Sequence, residues 1–191
     1  NGGLPLFLNY SIYGEIPWGP SGISPSTNGA DLGYIPAMQT TTTTTGGREV
    51  YYQWTSSPQT QTFISTLTYS DPLHIPVGAY TLNLYTRSDS SLWTVQYQIW
   101  KCTVSGTKIS AITPLSSTVS INATNLPNAL IIPNVGSATT LIGAQQILLE
   151  LIFETNGAQE DLYVYSEYTI SDNPNNGYSF LQTTFMAEGQ T

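Results

Sequence analysis

Charge is what this chain has least of: 8% of its 191 residues are Asp, Glu, Lys or Arg. Four of these are basic and twelve acidic, for a formal net charge of −8. Nucleic-acid binding displaces counterions with a basic stripe, and none is present, so no nucleic-acid partner is expected. Anionic membrane surfaces are disfavoured for the same reason. The longest apolar stretches fall well short of a membrane span, so no membrane insertion is expected either. Cysteine occurs once, at Cys102. That excludes an intramolecular disulfide and fits assembly in a reducing compartment better than a secretory route. Histidine also occurs once, at His74. One His and one Cys do not make a zinc site, and no Gly-x-Ser-x-Gly elbow accompanies the histidine, so no catalytic, metal or cofactor site is expected. The chain opens at Asn1 rather than Met, as a processed or excised product would.

In place of charge stand Thr, Ser, Tyr, Asn and Gln, alternating with Ile, Leu and Val. Period-two alternation is clearest at Tyr80, Leu82 and Leu84, and again at Trp93, Val95, Tyr97 and Ile99. After Ile99 the apolar set shifts to Trp100, Cys102 and Val104, a slip of the kind a β-bulge produces. Further strands are expected at 6–12, 48–55, 60–69, 107–112, 117–122, 127–132, 160–170 and 178–186. The run 145–154 has helix-favouring residues, but Ile147, Leu149, Leu151 and Phe153 alternate, and Leu148 and Ile152 make both faces apolar. A central strand buried on both sides reads this way. Gly and Pro signals such as Asp71-Pro72 and Asn156-Gly157 punctuate the runs. Short strands between regular turns predict an all-β fold, an antiparallel β-sandwich of jelly-roll type. One domain over 1–191 is expected, with an irregular, extended N-terminal arm at 1–40 and the sandwich core at 46–191. The threonine tract Thr40–Thr45 reads as extended chain.

Few constellations carry chemistry. Glu150 and Glu154 share one face of a strand and Glu160-Asp161 sits in a turn; a solvated acidic face explains both as well as a glycosidase pair does. Asp172–Gly177 has oxygen ligands like a calcium loop, yet Pro174 and Thr183 stand where ligands are needed. From residue 141 to the C-terminus there are seven acids and no Lys or Arg, a solubility device that repels acidic partners. Aromatics are the enriched class, with four Trp and thirteen Tyr. Tyrosine offers large amphipathic contact area at low entropic cost. Trp18, in a Pro-Gly loop, and Tyr163 and Tyr165, outward on a strand whose Leu162 and Val164 point inward, are the candidate ligand-binding residues.

Several segments together carry a family likeness. They are Leu6-Phe7-Leu8-Asn9-Tyr10-Ser11, Ile75-Pro76-Val77-Gly78-Ala79-Tyr80, Val95-Gln96-Tyr97-Gln98-Ile99-Trp100, and Tyr178-Ser179-Phe180-Leu181. In this order the chain resembles the β-sandwich domains of structural proteins of large DNA viruses and some tailed phages. It departs from that pattern at Val77, Tyr80 and Gln145-Gln146. The resemblance implies a module on the virion surface, capsid-associated, decorating or fibre-like, with a role in host attachment. It brings no catalytic residues, so the protein is expected not to be an enzyme. The implied partners are copies of itself in a homo-oligomer, other virion proteins and a host surface glycan. The competing expectation is a carbohydrate-binding module of a secreted, extracellular protein, with Trp18, Tyr163 and Tyr165 as its stacking platform.

Overall fold

The computed structural model describes residues 3–9, 14–15, 36–40, 48–52, 59–70, 72–87, 93–122, 129–155, 162–166 and 179–184. These residues form sixteen strands and no helix. The main sheet runs, in spatial order, β10 (Lys108–Pro114), β9 (Trp93–Ser105), β14 (Gln145–Thr155), β5 (Gln59–Ser65), β3 (Ala37–Gln39), β1 (Pro5–Asn9), β16 (Phe180–Gln182), β7 (Gly78–Asn83) and β12 (Ala129–Val135). A tenth strand, β11 (Val119–Asn122), pairs with β9 on the same side as β10. A second sheet runs β2 (Gly14–Glu15), β4 (Arg48–Tyr52), β15 (Leu162–Ser166) and β8 (Tyr85–Arg87). The third is a pair, β6 (Leu73–Ile75) with β13 (Thr139–Leu141).

The all-β sandwich expected from the alternation is what forms. One apolar cluster is fed by all three sheets: Leu6, Tyr80, Tyr97 and Phe153 from the main sheet, Leu162 and Val164 from β15, and Leu73, Ile75 and Leu141 from the small pair. Burying such side chains contributes about 1.5–3 kcal/mol each, which is what holds the layers together. Strand β7 leaves the main sheet at Leu84 and continues into the second as β8 while Tyr80, Leu82, Leu84 and Thr86 all stay buried. A strand that changes sheets in this way makes a sandwich corner. The main sheet also curls until β11 approaches β12, at its opposite end.

Two pairings are parallel, β2 with β4 and β3 with β5. The chain's path permits both, although β1 and β3, also two apart, pair antiparallel. From β1 to β5 it alternates between the main and second sheets, so strands two apart in sequence meet in one sheet through a crossover, which parallel pairing requires. Within the first forty residues, β1 lies between β3 and β16 in the middle of the main sheet, and β3 joins β1 to β5. The Thr tract beyond Thr40 and the loop with Trp18 lie outside the described residues.

The phase slip after Ile99 has a different cause from the expected bulge. Strand β9 pairs with β14 without interruption from Trp93↔Thr155 to Thr103↔Gln145. What changes is the covered face. Trp93, Val95, Tyr97 and Ile99 fill the main core; the same face then reaches Lys101, whose ammonium donates to Thr139 Oγ1 at 2.9 Å and ties β9 to β13. Beyond that point the opposite face is buried instead, and Cys102 joins Ile64, Ile109 and Leu148 in a second, smaller cluster flanked by Trp100 and Val104. The bulges sit on the outer strands: between Ser110 and Thr113 in β10, where Ala111 takes a φ of 51°, and between Ile131 and Asn134 in β12.

Candidate functional site

Of the three aromatic candidates, Trp18 lies outside the described residues. Tyr163 and Tyr165 fall on β15, at the positions between and beyond the buried Leu162 and Val164. Backbone register sets Tyr163 between Tyr51 and Arg87, and Tyr165 between Glu49 and Tyr85. Four tyrosines are thus cross-strand neighbours in the second sheet. Register alone brings Tyr51 and Tyr85 to the candidate pair, a grouping that long-range strand pairing hid from the sequence.

The other candidate chemistries are dispersed. His74 is exposed on β6, opposite Thr140. Glu150 is buried and faces Thr62 and Gln98, while Glu154 is exposed four residues on. At about 3.3 Å per residue their backbones are roughly 13 Å apart, beyond the spacing of paired glycosidase carboxylates. Among the described residues, no three His, Cys, Asp or Glu side chains come together as metal ligands. Asp172–Gly177 lies outside the described residues. Burial pushes the Cys102 thiol up to about 11, against a smaller lowering from a backbone hydrogen bond with Gln146. It is a neutral, packed thiol at physiological pH rather than a nucleophile.

The outer face of the main sheet holds a groove of about 330 Å³, lined by Ile64, Ser65, Thr66, Val104, Ala144 and Gln146. Its polar anchor is Gln146. The Oε1 atom accepts from Ser65 Oγ at 2.7 Å and from the Leu67 N–H at 2.9 Å, and Nε2 donates to the Leu67 carbonyl at 2.9 Å. Ser65 Oγ in turn accepts from the Ile147 N–H at 2.9 Å. The side chain takes the place of a strand partner where the backbone ladder of β14 with β5 stops, at Leu148↔Ile64. Sequence reading saw Gln145-Gln146 as the start of an ambiguous run and as a departure from the resembled pattern; nothing local marks a glutamine as a ladder surrogate.

No protein-family model matches the chain, and no curated protein does. Solved structures do. An α-amino acid ester hydrolase is 11% identical with a TM-score of 0.54, the likeness covering 96% of this chain and 36% of that one. A CocE/NonD family hydrolase from Staphylococcus aureus is 12% identical with a TM-score of 0.47, over 96% of this chain and 36% of that one. A structure of infectious bursal disease virus, Gx strain, is 12% identical with a TM-score of 0.34, over 76% of this chain and 35% of that one. This chain spans about a third of the length of the structures it matches. At such identity the first likeness establishes the fold alone. It still overturns one expectation. The sequence reading expected a protein that is not an enzyme, because the family it resembles brings no catalytic residues. The same fold makes up part of an α-amino acid ester hydrolase, so the fold does not set this chain apart from enzymes.

Proposed function

We propose that this chain is a contact module: a β-sandwich that holds a larger assembly together or to its target through neutral surface. Its setting is the virion surface, as a capsid-associated, decorating or fibre-type part with a role in host attachment. The observation that supports this reading most is the make-up of the outer positions of the longest strand and its neighbours. Thr94, Gln96 and Gln98 on β9 are half-buried, and Ser117, Thr118 and Ser120 beside them are exposed. Such groups trade one hydrogen-bond partner for another on contact, without the desolvation cost that charge brings. The partners are further copies, other virion proteins and a surface glycan, the last through Trp18, Tyr163 and Tyr165.

An antibody against the chain should decorate purified particles from the source, and a glycan array should show a hit that alanine at Tyr163 and Tyr165 removes. Particles that lack the chain would overturn the virion setting. A second reading rests on the hydrolase likeness, which takes in nearly all of this chain and about a third of the other: the module is the sandwich portion of a larger hydrolase. The full-length gene product would then cleave an amino-acid ester and be absent from particles.

A further inference from the structure

We propose that the start of β1 is a strap clasped onto β16, and that the sandwich opens there first when tension enters at Gly3 and leaves at Thr184. The inference deepens the contact-module reading and rests on it, because a part that attaches a particle to its target is loaded along its chain. Strands β1 and β16 are antiparallel neighbours, with Pro5↔Gln182, Leu6↔Leu181 and Phe7↔Phe180 in register. The entry of β1 and the exit of β16 therefore lie side by side at one end of their ladder. Bonds between antiparallel strands lie perpendicular to the strands. A pull that separates these two ends thus falls on the first bond alone, then on the next.

The mouth of the ladder is where side chains add to the backbone. The Gly3 N–H donates to the Thr183 carbonyl at 3.1 Å, and the Thr183 N–H donates to the Leu4 carbonyl at 3.1 Å. Thr183 Oγ1 donates to that same Leu4 carbonyl at 2.6 Å, and the Gln182 amide donates to the Gly3 carbonyl. These bonds are the clasp.

The two strands differ in what else holds them. On its other side β1 has β3 as a partner only from Phe7 onward, at Phe7↔Gln39, Leu8↔Met38 and Asn9↔Ala37. Among the described residues, the backbone of Gly3–Leu6 is therefore paired on the β16 side alone. Strand β16 is paired with β7 along all of Phe180–Gln182. Just after it, Thr184 Oγ1 donates to the Pro76 carbonyl at 3.5 Å, and the Thr184 methyl sits so close to Gly78 that a Cβ there would lie 2.9 Å from it. The exit is anchored and the entry is strapped, so β1 is the strand that peels. Leu4 and Leu6, packed against and within the main core, come away with it. Peeling meets firmer ground at Phe7 and Leu8. There the Phe7 and Phe180 rings stand 5.3 Å apart, the Leu8 N–H donates to the Ser179 carbonyl at 3.0 Å, and β3 holds the other side.

Optical-trap unfolding of the full chain, with handles on its two ends, tests this against a second pulling geometry. For that comparison the handles sit at Ser105→Cys and Glu154→Cys, both exposed positions, while Cys102 is buried. These two lie at opposite ends of the long β9–β14 ladder, so the pull shears its pairs together. The expected result is opening at lower force through the chain ends than through the ladder. Thr183→Val and Gln182→Leu should each speed opening through the chain ends about fivefold at a given load, the factor one hydrogen bond is worth, and leave the ladder pull unchanged. Chain ends that resist as strongly as the ladder would overturn the strap, while leaving the module reading to particle decoration. Variants that weaken both pulls alike, or neither, would overturn the clasp.

Discussion

The two apolar clusters meet along β9, yet they are built to different standards. The larger one is enclosed by three sheets and takes Trp93, Tyr97 and Phe153 to near-complete burial. The smaller one, around Ile64, Cys102, Ile109 and Leu148, lies against the other face of a single sheet and borders an open groove. It also keeps the Trp100 indole N–H buried with no hydrogen-bond partner. One strand thus serves two environments, and Lys101 marks the changeover. The lesson is that the first cluster is closed in by three layers, while the second has one sheet behind it and a groove beside it.

That contrast can be broken in graded steps. Phe153→Ala in the enclosed cluster should cost about 3–5 kcal/mol, since no layer can move in to fill the space; urea unfolding followed by tryptophan fluorescence measures it. A smaller loss comes with alkali. The Cys102 thiol ionises near 9.0 in the ordinary case and at about 11 when folded. Between those values the unfolded chain gives up a proton the folded chain keeps. Stability therefore falls as pH rises through this window, by roughly 2 kcal/mol from this group. Burial also pushes the Tyr80 phenol up to about 12, which extends the decline. A flatter profile between pH 9 and 11 in Cys102→Ala is the expected outcome, and identical profiles would show the thiol to be uninvolved.

Gln146→Leu should cost about 1–2 kcal/mol, because it leaves the Leu67 N–H and carbonyl without their side-chain partner. Its melting curve would sharpen the comparison by showing how much the smaller cluster depends on one polar anchor. Last comes Trp100→Phe, which removes the unpartnered N–H along with some packing. The two effects oppose, so the change should stay within about 1 kcal/mol of zero. A loss as large as that of Phe153→Ala would show the clusters to be equals.

Much of the fold was legible because alternation is a direct consequence of strand geometry. Tyr80 to Leu84, Trp93 to Ile99 and the run from Gln145 each announced a strand, and the apolar second face of that run marked it as central: it lies between β9 and β5. Strands of two or three residues, such as β3, β6 and β13, are too short to show a period. The switch of buried face at Lys101 mimicked a bulge because a one-residue slip and a change of covering layer leave the same trace in sequence. The site was less legible. A row such as Tyr51–Tyr163–Arg87 exists only through register between distant segments, and Gln146 gains its role from the place where β5 happens to stop.

The bulged outer strands have a consequence for crowding. An open strand beside another copy is a template for continuous hydrogen bonding. Here the two ends of the main sheet answer that hazard alike, with a misregister and an imino acid, Pro114 in β10 and Pro133 in β12, that offers no N–H to an incoming strand. Neither outer strand thereby offers an incoming strand an unbroken ladder along its length.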